Sequence, residues 1–265
     1  MTSSGSHGER ASGGRIEGRP LVLFDLDDTL MAHREAVASG IVQHLRDRGY
    51  DADETAAQRF WHELEERHYH AYLAGELSFE EQRRARAAEF ALAHGDAIDD
   101  EAASAWFARY FERYREAWRL HDDVEPSLDA LERVLPGVRF GVITNGEPDF
   151  QLAKLRQLGI GVGDAGRMAH LVASGAEGTT KPDARIFRAA VARFARDGAV
   201  SRAAYVGDRL RTDAIGAAEA GLFGVWLNRS GARPVRPDAE DAAAAGVHEI
   251  RTLHELAPLL AERLA

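Results

Sequence analysis

Short apolar segments alternate with helical segments over the second half of the chain, and this alternation restricts the fold more than any other feature. The strand-like segments are VRFGVITNG, AHLVAS, RAAYVGD and FGVWLN, each separated from the next by a segment with helical periodicity. A strand that is joined to the next strand by a helix makes a right-handed crossover, which gives a parallel sheet covered on both faces. The sequence therefore predicts an α/β fold with a parallel sheet at its core.

The first strand of this sheet is separated from the others by a long helical block. LVLF at 21–24 is the first strand, and the pattern from Val37 to about Trp118 is helical throughout. Within this block Ser78 and Glu81 have the spacing of a capping box, which predicts a helix that begins after Ser78. The sequence thus predicts an α/β core at 20–34 and 120–265, and an inserted helical cap at 35–119.

Residues 1–19 are rich in glycine and serine and have almost nothing to bury, so we expect a disordered tail. The letters IEGR at 16–19 also match a common engineered protease site. This segment is therefore left out of the fold prediction.

Composition excludes several classes of function. The chain of 265 residues has no cysteine, which excludes disulfides and thiolate catalysis, and its formal charge of −10 argues against general affinity for nucleic acid or anionic lipid. No apolar run approaches the roughly 18 residues of a membrane helix, and the N-terminus lacks the apolar core of a secretion signal. We expect a cytoplasmic protein, monomeric or homodimeric, without nucleic acid or membrane partners.

Polar residues follow three of the predicted strands at the point where each strand ends, which is where ligands bind in an open parallel sheet. They are Asp25, Asp27 and Thr29 after the first strand, Thr144 and Asn145 after the second, and Asp208 and Asp213 after RAAYV. Lys181 directly precedes Pro182, which suits the first turn of a helix. Aspartates gathered at one edge repel one another unless a cation lies among them, and a hard, oxygen-seeking ion such as Mg²⁺ is the natural choice.

Taken in order, D-x-D-x-T, T-N, K-P and G-D-x-x-x-x-D resemble the four motifs of the haloacid dehalogenase superfamily of phosphohydrolases. In this chain they read DLDDTL, ITNG, KPDARIF and GDRLRTD. The resemblance implies a Rossmann-like core with a C1 helical cap, and a Mg²⁺-dependent phosphatase of a small phosphorylated metabolite. Within the superfamily, VITNG, KPDARIF and WLN are most similar to nucleotide 5′-monophosphatases and N-acylneuraminate 9-phosphatases, which implies a nucleotide or a sugar phosphate as substrate.

The resemblance also implies a role for each acid. Asp25 would be the nucleophile that forms an aspartyl-phosphate, and Asp27 would protonate the leaving oxygen and later deprotonate the attacking water. Mg²⁺ would be bound by Asp25, by the backbone carbonyl of Asp27 and by Asp208. Asp213 would either support the shell of the metal or orient Lys181.

The same resemblance implies that Thr144, the backbone of Asn145, and Lys181 hold the transferring oxygens, and it counts Thr144 and Lys181 among the catalytic residues. Asp28, in contrast, is expected to cap the segment that follows it. Thr29 is expected to have a structural role beside the site.

The cap carries weaker signals. Arg83, Arg84 and Arg86 are expected to lie on a solvated helix face, as such charge runs usually do. The turn AGELS, at Gly75–Ser78, resembles the cap loop that meets substrate in this superfamily, and it is the predicted specificity loop.

Three alternatives remain beside the phosphatase. A phosphomutase of the same superfamily would need a phosphorylated enzyme that survives long enough to rephosphorylate an intermediate. A phospho-accepting receiver also uses acids, a threonine and a lysine on a parallel sheet, but the cap and Asp27 count against it. A catalytically inactive domain kept for binding is disfavoured by the complete acidic set. The dehalogenase branch of the superfamily lacks an acid at the position of Asp27, so the presence of Asp27 counts against a dehalogenase.

Overall fold

The computed structural model describes residues 18–264, and its centre is a parallel six-stranded sheet with the order β3-β2-β1-β4-β5-β6. This confirms the predicted α/β fold with a parallel sheet core. The strands are β1 (Arg19–Phe24), β2 (Arg139–Thr144), β3 (His170–Ala173), β4 (Val200–Gly207), β5 (Phe223–Leu227) and β6 (His248–Ile250).

β1 lies between β2 and β4, and the chain proceeds from it toward opposite edges of the sheet. The four residues of LVLF, Leu21 to Phe24, are almost completely buried, as expected for a central strand that is covered on both faces. The carboxyl ends of β1, β2 and β4 therefore meet at the point where the strand order reverses, which is the usual place for a ligand site in such a sheet.

Arg19 belongs to β1 and not to the predicted tail. Its backbone N–H donates to the carbonyl of Ala199 at 3.0 Å, and its Nε donates to the carbonyl of Gly137 at 2.8 Å. These hydrogen bonds extend the strand before its apolar residues begin, a pairing that composition does not reveal. Residues 1–17 of the predicted tail lie outside the described residues.

Four helices make up the segment between β1 and the following core helix. They are α1 (His33–Arg48), α2 (Glu54–Leu73), α3 (Phe79–Ala93) and α4 (Asp100–Glu116). The predicted capping box of α3 is confirmed: Ser78 Oγ accepts from the Glu81 N–H at 3.2 Å, and the Glu81 carboxylate accepts from the Ser78 N–H at 2.8 Å. The segment is held together by buried aromatic rings, among which Trp61 and Tyr110 pack edge to face with centroids 4.6 Å apart.

The connections into and out of this helical segment run side by side. The Ala32 N–H donates to the carbonyl of Arg119 at 3.0 Å, and the His121 N–H donates to the carbonyl of Leu30 at 2.9 Å. The helical segment is therefore attached to the sheet by two hydrogen-bonded neighbouring chain segments.

Helices cover the sheet after β1. They are α5 (Val124–Val134), α6 (Pro148–Gln157), α7 (Ser174–Glu177), α8 (Ala184–Arg196), α9 (Gly216–Glu219), α10 (Arg236–Ala244) and α11 (Leu256–Leu264). A π-helical turn at Leu210–Ile215 precedes α9 where the sequence predicts one regular helix. No helix in the described part of the chain has both the length and the apolarity that crossing a membrane requires.

The helix after Lys181 begins later than the sequence suggests. Pro182 precedes α8 and is not in its first turn, because Asp183 is the N-cap and its carboxylate accepts from the Arg185 N–H at 2.9 Å. Aspartate is a strongly preferred N-cap residue, so it sets the start of the helix. Lys181 consequently lies in the loop, where its side chain can turn toward the sheet edge.

Candidate active site

Lys181 connects the acids that follow β1 and β4. Its Nζ donates to Asp25 Oδ1 at 2.5 Å, to Asp213 Oδ1 at 2.7 Å and to the hydroxyl of Tyr205 at 2.8 Å. The backbone of Asp25 is fixed as well, because its N–H donates to the carbonyl of Val206 at 2.9 Å. The structure thus brings together three of the residues that the sequence assigned to the site, all of them buried.

Negative charge at this edge exceeds the positive charge that the chain provides. Asp25, Asp208 and Asp213 each offer a carboxylate oxygen within 4.8 Å of the others. Burial raises the pKa of Asp25 to about 7; Lys181 opposes the rise and Asp213 adds to it. Burial and the neighbouring carboxylates Asp213 and Asp25 raise the pKa of Asp208 well above its usual value. Such an oxygen-rich, under-compensated cluster fits a hard divalent cation such as Mg²⁺.

Asp213 is already engaged by donors of the protein. Oδ1 accepts from Lys181 and from the Tyr205 hydroxyl at 3.2 Å, and Oδ2 accepts from the Arg209 N–H at 2.9 Å. Its side chain also packs closely on Gly207, where an added Cβ would lie 2.4 Å from the Asp213 Cβ, so the end of β4 has no room for a side chain. Of the two roles that the sequence left open for Asp213, this arrangement favours orienting Lys181.

Asn145 holds the Lys181 loop through its side chain. Asn145 Oδ1 accepts from the Lys181 N–H at 2.8 Å, and Nδ2 donates to the Lys181 carbonyl at 3.1 Å. The sequence assigned only the backbone of Asn145 to the site. Thr144 is buried at the end of β2 and lines the same cavity as Asp25, with Oγ1 at 3.5 Å from the Asn145 carbonyl.

Lys154 is a site residue that the sequence prediction missed. Its Nζ, on α6, donates to both oxygens of Asp27, at 2.7 and 2.8 Å, and the lysine is 2% exposed. Burial alone would raise the pKa of Asp27, but Lys154 and His33 outweigh burial and lower it. The available signal was that Gln151, Lys154 and Leu155 recur at helical spacing on the buried face of α6, where a lysine needs an anionic partner.

His33 connects Asp27 to the cap helices. Its Nδ1 lies 3.8 Å from Asp27 Oδ1 and 2.9 Å from the hydroxyl of Tyr114, and its Nε2 lies 3.7 Å from Glu65. Burial opposes the charged imidazole, but Asp27 and Glu65 more than compensate and raise the pKa of His33. The surroundings of Asp27 therefore include groups from α1, α2 and α4 as well as Lys154 of α6.

Asp28 accepts a hydrogen bond from the first turn of α1, in line with its predicted capping role, although the N-cap position itself is Ala32. Its Oδ1 accepts from the Arg34 N–H at 2.8 Å, and its Oδ2 lies 3.2 Å from Arg34 Nε. Asp28 has a φ of 61°, a conformation that asparagine and aspartate tolerate better than most residues. Thr29 is fully buried, and its carbonyl accepts from Arg229 at 3.0 Å, which is a structural contact beside the site.

A cavity of about 460 Å³ lies between the sheet edge and helices α2 to α4. The expectation of a solvated helix face is wrong for two of the three arginines. Arg83 and Arg86 line the cavity instead of a solvated face, and Arg86, which is 5% exposed, pairs with the partly buried Glu65 at 2.9 Å. Of the turn AGELS, Ala74 lines the cavity and Gly75–Ser78 does not, so a role of this turn in specificity stays a prediction.

Side chains of α2 join the helical segment to loops at the sheet edge. The Tyr69 hydroxyl donates to the Asn145 carbonyl at 3.1 Å, and Arg209 donates to Glu66 at 2.7 Å. Helix α2, which lines the cavity, is thus hydrogen-bonded to the loops after β2 and β4, and these loops carry polar residues of the site.

Known proteins resemble this chain in sequence. The sequence profile of the haloacid dehalogenase-like hydrolases matches residues 20–221. The phosphoserine phosphatase of Thermus thermophilus is 38% identical over 132 residues, which are 50% of this chain and 49% of that enzyme, so the match spans about half of either protein. The ribulose-1,5-bisphosphate 5-phosphatase of Halopiger xanaduensis is 29% identical over 244 residues, which are 90% of this chain and 98% of that enzyme.

Solved structures share the fold. The HAD-hydrolase YfnB from Bacillus subtilis, solved with bound magnesium, superposes with a TM-score of 0.71 at 21% identity and covers 91% of this chain and 98% of its own. The 2-haloacid dehalogenase from Pseudomonas syringae superposes with a TM-score of 0.59 at 26% identity and covers 92% of this chain and 99% of its own. Because the matching profile covers most of the chain and the fold agrees, the chain belongs to the haloacid dehalogenase-like hydrolase family and is an enzyme of that family.

Proposed function

We propose that this enzyme is a Mg²⁺-dependent phosphatase of a small phosphorylated metabolite and that it forms an aspartyl-phosphate on Asp25. The observation that carries the proposal is the buried Asp25 carboxylate, which shares Lys181 with Asp213 and opens into the same cavity as Asp27. The relatives support the reaction type, because they are named as phosphatases. Their named substrates are phosphoserine, ribulose 1,5-bisphosphate and, for the enzyme of Pyrococcus abyssi, glyceraldehyde 3-phosphate.

Mg²⁺ would be held by the carboxylates of Asp25 and Asp208 and by the backbone carbonyl of Asp27. When bound, the ion would supply positive charge that screens the phosphoryl oxygens from the attacking carboxylate. Lys181 adds a second positive charge from the protein, and its position is fixed by Asp213 and by the side chain of Asn145. An anionic phosphate is thereby accepted beside a carboxylate that would otherwise repel it.

In the first step, Asp25 attacks phosphorus, the bond between phosphorus and the leaving oxygen breaks, and that oxygen takes a proton from Asp27. In the second step, Asp27 removes a proton from water, the water oxygen attacks phosphorus, and the Asp25 carboxylate is released together with inorganic phosphate. Asp27 must therefore exist in both charge states, each long enough to act.

Lys154 holds Asp27 in its ionised form, which is the form that activates water. An arriving phosphate dianion adds negative charge near Asp27, which raises the pKa of Asp27 and favours the acid that the first step requires. A carbon–halogen bond would break without a proton, whereas an alkoxide needs one. The presence of Asp27 therefore favours a phosphate ester over a haloacid as substrate.

Removal of divalent cations is the first test. We expect phosphate release from p-nitrophenyl phosphate to fall at least about a hundredfold in chelator, because the acidic cluster loses the charge that admits an anion, and to return with Mg²⁺ better than with Ca²⁺. The measurement is steady-state phosphate release. Full activity in chelator contradicts the metal-dependent mechanism, and one phosphorylation per chain without further release indicates a receiver.

A pair of neighbouring acids provides the second test. We expect Asp208→Asn to raise the Mg²⁺ concentration for half-maximal activity at least about tenfold, because it removes a ligand from the cluster. Asp28→Asn is the matched control, since asparagine accepts the conformation at this position and can still cap α1. It should keep substantial activity and an unchanged Mg²⁺ requirement. If the two results were exchanged, the assignment of the acids would be wrong.

A further inference from the structure

Six lysine and arginine side chains line the cavity, and five of them pair with carboxylates that line it too. The five pairs are Arg34 with Asp28, Arg86 with Glu65, Lys154 with Asp27, Lys181 with Asp25 and Asp213, and Arg209 with Glu66. Arg83 differs from these. Within residues 18–264 its carboxylate partner is Glu80, one turn earlier on α3, which is 64% exposed and does not line the cavity.

The guanidinium of Arg83 is surrounded by aromatic rings. Its Cζ lies 4.0 Å from the ring centroid of Phe79, 5.2 Å from that of Phe107 and 5.4 Å from that of Phe111. These rings displace water from the guanidinium, and burial lowers the pKa of Arg83 while Glu80 opposes the change. An arginine has five N–H donors, and in the described chain its side-chain hydrogen bond is the one from Nη1 to Glu80. Arg83 thus offers spare donors in a poorly hydrated place.

One aromatic ring separates Arg83 from the lysine that holds Asp27. The centroid of Phe150 lies 5.7 Å from Arg83 Cζ and 4.8 Å from Lys154 Nζ. A leaving group that begins beside Asp27 and extends along Phe150 therefore reaches the donors of Arg83.

We propose that Arg83 is a specificity residue that binds a second anionic group, a carboxylate or a phosphate, on the leaving group of the substrate. This inference rests on the proposed phosphatase function and narrows its substrate class. Arg83 has no anionic partner among the described residues that line the cavity, and a substrate of this kind would supply one. The planar guanidinium of arginine can form paired hydrogen bonds with either a carboxylate or a phosphate.

The test uses a homologous series of ω-carboxyalkyl phosphates, each paired with the ω-hydroxyalkyl phosphate of the same length, and a parallel series of α,ω-alkane bisphosphates. The readout is the ratio of kcat/KM for the anionic member to that for the neutral member. We expect a ratio well above one in the native enzyme at the chain length that reaches Arg83. The series with the larger ratio identifies whether carboxylate or phosphate is preferred.

Arg83→Met keeps the length and the apolar stem of the side chain but removes the charge. We expect it to lower the ratio about 10- to 100-fold, mainly through KM, because the contact is made in the ground state and in the transition state alike. Arg83→Lys keeps the charge but loses the fork, so the ratio should fall by less. Arg84→Met is the matched control on the same helix, since Arg84 does not line the cavity, and it should leave the ratio unchanged.

Three results would overturn the inference while the proposed function stands. In the first, the native enzyme hydrolyses the anionic and the neutral esters of each length with equal kcat/KM. In the second, Arg83→Met leaves the ratio of these values unchanged. In the third, Arg84→Met lowers the ratio as much as Arg83→Met does. Because the readout is a ratio within one preparation, a smaller folded fraction does not alter it. Failure of the native enzyme to release phosphate from any ester would instead contradict the proposed function itself.

Discussion

Asp25→Asn is expected to lower kcat for every phosphate ester by at least about a thousandfold, because the amide is a far weaker nucleophile than the carboxylate at the same place. The fold should survive. Lys181 keeps Asp213 and Tyr205 as partners, and the substitution removes one charge from a cluster in which burial, and then repulsion among the carboxylates, raises the pKa values of Asp25 and Asp208. The measurements are steady-state kinetics and a thermal unfolding curve without added metal, which should show equal or higher stability.

The stereochemistry at phosphorus provides an independent test of the same step. Transfer first to Asp25 and then to water comprises two in-line displacements, each of which inverts phosphorus, so chiral phosphate esters should react with net retention. Net inversion would mean that water attacks directly and that Asp25 only binds metal. A folded Asp25→Asn enzyme with near-normal turnover would lead to the same conclusion.

The second large effect is expected for Asp27→Asn, and its size should depend on the leaving group. Alkyl phosphates should slow by about 10²- to 10⁴-fold, since the alkoxide must be protonated as it departs. p-Nitrophenyl phosphate should slow much less in the transfer step, because p-nitrophenolate leaves without a proton. The measurement is the ratio of kcat/KM values for the two esters in each enzyme.

Loss of the Asp27 carboxylate also leaves the buried Lys154 without its anionic partner, which destabilises the fold. The ratio of the two esters is independent of how much enzyme is folded, so it separates this effect from catalysis. Asp28→Asn serves as the control for a neighbouring acid. Equal slowing of both esters would show that Asp27 does not protonate the leaving group.

The sheet was predictable because continuous apolar segments alternate with segments of helical periodicity. LVLF, VRFGVIT and FGVWL are short apolar segments of the kind that parallel strands need. β6 (His248–Ile250) was not predicted, because three residues with two exposed polar side chains carry no periodicity. The start of β1 at Arg19 was not predicted either, because it depends on backbone pairing with a segment that is distant in sequence.

The site was predictable only in part, and the parts differ in kind. Asp25, Thr144 and Asp208 follow from where strands end, since parallel strands bring their carboxyl ends to one edge. Lys181 was placed at the site because the aspartates need a cation and because of the K-P motif. The role of Lys154 could not be predicted in this way. Its contact with Asp27 depends on which face of α6 is buried and on an aspartate far away in sequence, so it is visible only in the packed structure. Arg83 was expected in solvent because a run of arginines usually is, whereas the aromatic rings around it come from separate helices.

The adjacent connections at Ala32–Arg119 and Leu30–His121 have a consequence for how such an enzyme can diversify. Because the helical segment leaves and rejoins the sheet at neighbouring points, a segment of another length or shape could replace it without changing the distance between β1 and the core helix that follows. The acids after β1 and β4 would stay in place while the residues that line the cavity opposite them changed. In the proposed mechanism such a replacement would alter the walls around the leaving group, and it would also have to restore the contact that His33 of α1 makes with Asp27.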